Sequence, residues 1–60
     1  MNNKDLEELF ETIETQIEEF KANATKAIEK GNKSAARRAR KSSMDLRNSL
    51  KEFKARSMNI

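Results

Sequence analysis

Cysteine, histidine, proline, tryptophan and tyrosine are all missing from this 60-residue chain, and glycine occurs once. Without cysteine there is no disulfide staple, and without histidine as well the usual soft ligands of a transition metal are gone. No metal site or cofactor is therefore expected. The missing proline leaves both halves free of a hard helix breaker, and the single glycine, Gly31, allows one sharp reversal of the chain. With no tryptophan or tyrosine, the aromatic platforms on which single-stranded bases stack are scarce. No apolar run approaches the roughly 20 residues of a membrane span. The N-terminus, with Asp5, Glu7, Glu8 and Glu11, lacks the cationic start of a signal or transit peptide, so a cytoplasmic, non-membrane protein is expected. There is no nucleophile with a base, no cofactor loop and no phosphate-binding glycine motif, which argues against an enzyme or a small-molecule binder.

Charge is abundant and segregated. Residues 1–20 carry seven acids and one lysine, a balance of −6. Residues 21–41 carry eight cations (Lys21, Lys26, Lys30, Lys33, Arg37, Arg38, Arg40 and Lys41) against one anion, Glu29, a balance of +7. The remainder adds +2, giving the modest net charge of +3. Such blocks of one sign suit an electrostatic encounter with a polyanion.

Apolar residues in the first half fall at Leu6, Phe10, Ile13, Ile17, Phe20, Ala24 and Ala27, in alternating steps of four and three, with Leu9 and Ile28 widening the stripe. That is the heptad seam of a helix over about 4–30. Asn2, Asn3 or Asp5 can cap its start, and Lys26, Lys30 and Gly31 supply the cationic last turn and glycine stop. The pattern repeats at Ala36, Ala39, Ser43, Leu46, Leu50, Phe53 and Ser57, capped by Asn32 or Ser34, and predicts a second helix over about 34–57 after a turn at about 31–33. Residues 57–60 are expected to fray.

The expected fold is all-α, a single domain in the form of an antiparallel two-helix hairpin. Folding at Gly31 and Asn32 pairs residues whose numbers sum to about 63, which sets Phe10 against Phe53, Ile13 against Leu50, Ile17 against Leu46 and Ile28 against Ala35. All three phenylalanines are read as core. Two helices hide only one side of a stripe more than 100° wide, so the end holding Phe10, Ile13, Leu46, Leu50 and Phe53 should stay adhesive. A domain this small buries only about 60% of its unfolded surface. A homodimer or higher homo-oligomer, built as a four-helix bundle with core residues Leu6, Phe10, Ile13, Ile17, Phe20, Leu46, Leu50 and Phe53, completes the core. Joining the hairpins at their apolar ends would send the two cationic turns in opposite directions.

Along the second helix Lys33, Arg40, Arg47, Lys51 and Lys54 cluster on one flank, with Arg37 and Lys41 further round. The plain reading of charge on a helix is a solvated face. Here five of the nine residues from 33 to 41 are basic, none has an acid three or four positions away within that run, and they crowd a helix start, where the dipole favours anions. Backbone contact to duplex DNA needs only spaced cations. Lys30, Asn32, Lys33, Arg37, Arg38, Arg40, Lys41 and Arg47 are the expected DNA-binding residues. Glu7, Glu11, Glu14 and Glu18 line a flank of the first helix, expected to pair across the hairpin with Lys51, Lys54 or Arg56. A rival reading is a coiled-coil adaptor whose seam captures another protein's helix.

The run from Glu29 to Ser43, Glu-Lys-Gly-Asn-Lys-Ser-Ala-Ala-Arg-Arg-Ala-Arg-Lys-Ser-Ser, followed by Leu46, Leu50-Lys51-Glu52-Phe53-Lys54 and Ser57, resembles the chlamydial histone-like, nucleoid-condensing protein family and its short bacterial relatives. The likeness covers nearly the whole chain, and its most specific part is the Lys-Gly-Asn-Lys turn leading into alanine and arginine. It implies sequence-neutral DNA binding and chromosome compaction in the nucleoid, carried at the matching positions Lys30, Asn32, Lys33, Arg37 and Arg40. The chlamydial member continues into a long lysine- and alanine-rich tail that this sequence does not show, so the helical core is expected to do the binding.

Overall fold

The computed structural model describes residues 3–58 and 60. Two helices, α1 (Asn3–Lys30) and α2 (Lys33–Ser57), fold back on each other as an antiparallel hairpin, a rod with extents of 45 × 14 × 12 Å. Asp5 lies in the first turn of α1 and Lys30 in its last, each complementing the helix dipole. The expected capping by Asn2 or Asn3 lies outside the described residues and side chains.

Two residues make the reversal. Gly31 takes φ +61°, the left-handed conformation that only glycine adopts without a Cβ penalty. Asn32 is extended (φ −77°, ψ 109°), and its side-chain oxygen accepts from the Ala35 N–H at 3.0 Å while its carbonyl accepts from the Ala36 N–H at 3.0 Å. Asn32 is thus the N-cap of α2, not Ser34, and Lys33 is already helical. Past Ser57, the Ile60 N–H donates to the Ser57 carbonyl at 3.1 Å.

The interhelical seam is turned from the expected one. On α1 the buried or half-buried line is Leu6, Leu9, Ile13, Gln16, Phe20, Asn23 and Ala27; on α2 it is Ala35, Ala39, Ser42, Leu46, Ser49, Phe53 and Ser57. Leu6, Ile13, Phe20, Ala27, Ala39, Leu46, Phe53 and Ser57 fall as expected, and Ala24 and Ala36 are half-buried beside that line, whereas Ser43, expected in the seam, is exposed. Phe10, Ile17 and Leu50, however, are 52%, 38% and 49% exposed, and Ile28 is 83% exposed. Reading all three phenylalanines as hairpin core is corrected for Phe10, and Ile13 belongs to the buried line rather than to the adhesive end. The cause is side-chain size. Ala35, Ser42 and Ser49 allow the helices to approach closely, and Ala35 is fully buried at 0% exposure. The bulky residues one position round each helix are left on one open face.

That face has a groove lined by Phe20, Ser43, Leu46, Arg47 and Leu50. By the 100° step of a helix, Phe10, Ile17 and Ala24 lie on the same side. The opposite face is polar, with a hollow lined by Glu19, Asn23, Arg38, Lys41, Ser42 and Asp45. Gln16, in the seam between the two faces, has a buried Oε1 with no hydrogen-bond partner among the described residues.

Candidate nucleic-acid interface

The hairpin geometry gathers the cations of residues 21–41 at the turn end of the rod. Lys21, Lys26 and Lys30 come from the last turns of α1; Lys33, Arg37, Arg38, Arg40 and Lys41 come from the first turns of α2, and all eight are exposed. The α2 start carries no acid in its first turn, so its dipole and its cations have the same sign. Among the described residues none of the eight forms a salt bridge; the ion pair found joins Arg56 to Glu52 within α2. The expected pairing of Glu7, Glu11, Glu14 and Glu18 with Lys51, Lys54 or Arg56 across the hairpin is therefore corrected: among the described residues no salt bridge joins the helices, all seven side chains are exposed, and Arg56 pairs with Glu52 on its own helix.

The structure divides the expected binding residues. Arg38 turns back onto α1, its Nε donating to Asn23 Oδ1 at 2.9 Å, while Asn23 Nδ2 donates to the Glu19 carbonyl at 2.9 Å. Arg38 and Lys41 line the polar hollow with Glu19 and Asp45, which offset part of their charge. Arg47 borders the apolar groove. Lys30, Lys33, Arg37 and Arg40 stand clear of both hollows. Asn32 is exposed, but its side-chain oxygen is engaged in the cap, leaving its amide nitrogen as the outward donor. Asn23, Glu19 and Asp45 were not expected in this region; an asparagine near the middle of a helix, opposite an arginine in hairpin register, was the available signal.

With this arrangement in hand, comparison with known families is informative. A family model described as Histone H1-like protein Hc1 matches residues 7–60. The chain belongs to that family. No curated protein and no solved structure matches it. The Histone H1-like protein Hc1 match spans the turn, every cation of the tip and the whole open apolar face, and it makes the chain a histone-like, DNA-binding protein of the nucleoid. The family is not one of enzymes. Among the described residues no helix is long and apolar enough to cross a membrane, and no cluster of potential metal ligands is found.

Proposed function

We propose that this protein binds duplex DNA without regard to sequence, through the turn end of the hairpin, and self-associates through its open apolar face to organise the nucleoid. The observation that carries the reading is the set of eight exposed tip cations, free of salt bridges among the described residues, at the end of a 45 Å rod. Dense duplex phosphates reward such a tip by releasing counterions, and no rigid polar reader of base edges accompanies the cations. Lys30, Lys33, Arg37 and Arg40 are the principal contacts, Arg38, Lys41 and Arg47 secondary ones, and the Asn32 amide a neutral donor at the apex.

The test is a mobility-shift titration of duplex DNA with Arg37→Glu/Arg40→Glu. Both side chains are exposed, so helicity and size should persist while binding is lost. An unchanged shift rejects the tip as the site. The half-exposed Phe10 and Leu50 also favour a second reading, an adaptor that holds another protein's helix. Sedimentation separates the two, because an adaptor awaiting a foreign helix is monomeric alone.

A further inference from the structure

The open face carries Phe10, Ile17 and Leu50 at 52%, 38% and 49% exposure, whereas the buried positions of the α2 seam are the small Ala35, Ala39, Ser42 and Ser49. Its two edges differ in charge. Along the α2 edge run Lys33, Arg40, Arg47 and Lys54, one cation every seven residues, and Arg47 lines the groove itself. Along the α1 edge run Glu7 and Glu14, also seven apart, followed by Lys21; Glu14 shares a surface hollow with Ile17. Seven residues return to the same side of a helix, so each set is a straight rim. Within one hairpin the rims are held apart by the apolar face, and no salt bridge joins them among the described residues.

We propose that a second copy of the chain closes this face with both turns at the same end, so that α1 of each hairpin lies beside α2 of the other. This rests on the self-association put forward above and commits to its geometry. Asn23 and Arg38, and Phe20 and Ser43, fix which residues of α1 and α2 stand level, with numbers summing to 61 and 63. By that rule Glu14 is level with Arg47, and Glu7 with Lys54. A twofold axis along the rod preserves levels. It places the Glu14 and Glu7 of each copy against the partner's Arg47 and the partner's Lys54, and it lays the bulky open end of one copy on the bulky open end of the other. The alternative, with turns at opposite ends, lays α2 along α2 and sets four cations against four cations. It also lays the phenylalanine-rich end of one copy on the alanine-rich end of the other, or overlaps only half of each face. This proposal sets the two turns side by side, in place of the opposed turns expected from the sequence.

Lys21 supplies the discriminating variant, since it is level with Arg40 and forms the one mismatch on the α1 rim. Lys21→Glu is at an exposed position and should tighten the dimer by about three- to twenty-fold at low salt, two symmetry-related pairs being gained. With turns opposed, Lys21 would instead lie on the acidic rim of the partner's α1 and the same variant would weaken the dimer. Sedimentation equilibrium of both proteins gives the answer. A second measurement uses the absence of cysteine: spin labels on Ser34→Cys should lie within about 20 Å, two interhelical spacings, in this arrangement. Label separations approaching or exceeding the 45 Å rod length, as turns at opposite ends require, would overturn it while leaving self-association intact. A monomer at all concentrations would overturn both, and neither result bears on the mobility shift that tests DNA binding.

Discussion

Arg38 and Asn23 form a side-chain hydrogen bond that ties α2 to α1, with Arg38 Nε donating to Asn23 Oδ1 at 2.9 Å on the polar face of the rod. The bond lies in an exposed setting, where a hydrogen bond contributes about 0.5–1.5 kcal/mol at most. Asn23→Ala should therefore lower stability by less than about 1 kcal/mol. Because it also frees a guanidinium at the tip, affinity for duplex DNA should hold or rise slightly. Urea unfolding and a mobility shift on the same preparation check the two parts.

Gly31 and Asn32 should be sensitive for different reasons. A Cβ on Gly31 meets nothing within 4 Å, so the cost of Gly31→Ala is purely conformational, about 1–2 kcal/mol for a left-handed non-glycine residue. Asn32→Ala should cost about 1 kcal/mol by removing the cap on Ala35, whereas Asn32→Ser should retain most of it. Thermal melts followed by circular dichroism rank the three variants.

Gln16→Leu should stabilise the protein. The unpartnered Oε1 in the seam carries a desolvation penalty of about 1–3 kcal/mol that leucine would not. For a domain of this length each kilocalorie moves the melting temperature by about 4–8 °C. A melting temperature equal to or below that of the parent chain would show that the acceptor is satisfied in solution.

Ile13 and Phe10 lie one turn apart and should behave oppositely. Ile13 is 5% exposed, and Ile13→Ala should cost about 2–5 kcal/mol, enough to unfold a 60-residue hairpin. Phe10→Ala removes a half-exposed ring and should leave helicity nearly unchanged at high protein concentration while shifting the oligomer towards monomer. Circular dichroism and sedimentation together distinguish these outcomes.

DNA binding should be strongly salt-dependent. If about 5 phosphates are contacted, the logarithmic slope of affinity against salt should be near −4 to −5, and similar for duplexes of unrelated sequence. A shallow slope, or a preference for one sequence, would falsify the electrostatic tip.

The helices, the turn and the segregation of charge were legible in the sequence because each depends on local rules: heptad spacing, Gly31 followed by Asn32, and blocks of one sign. Less legible was which edge of each wide stripe would meet the other helix. Leu6-Phe10-Ile13-Ile17 and Leu6-Leu9-Ile13-Gln16 are both heptad seams, and hydrophobicity alone favours the first. The chain takes the second, with Gln16, Ser42 and Ser49 inside and Phe10, Ile17 and Leu50 outside. Close approach through small α2 side chains decides a hairpin's own contact, and apolar bulk is left for the next layer. The cross-hairpin ion pairs failed for a related reason: a correct level along the rod does not bring together side chains that leave it on opposite edges. Arg38 and Lys41 looked equivalent to Arg37 and Arg40 as letters, and only the register of Glu19, Asn23 and Asp45 separates them.

The backbone of the rod is narrow, 14 by 12 Å in cross-section, and the molecule is electrically polar along its length, with seven carboxylates in its first 20 residues and eight cations around its turn. On the proposed reading, the potential that draws the turn towards a duplex drives the acidic open end outward, so the molecule would be oriented before it touches a phosphate. Standing on end, two helices abreast, each about 10 Å across with side chains, would cover about six base-pair steps at a rise of about 3.4 Å each. Neighbours can therefore crowd along DNA like bristles, and the bristled duplex presents carboxylates to its surroundings in place of phosphates. Its spacing from the next duplex is then set by the height of the rod.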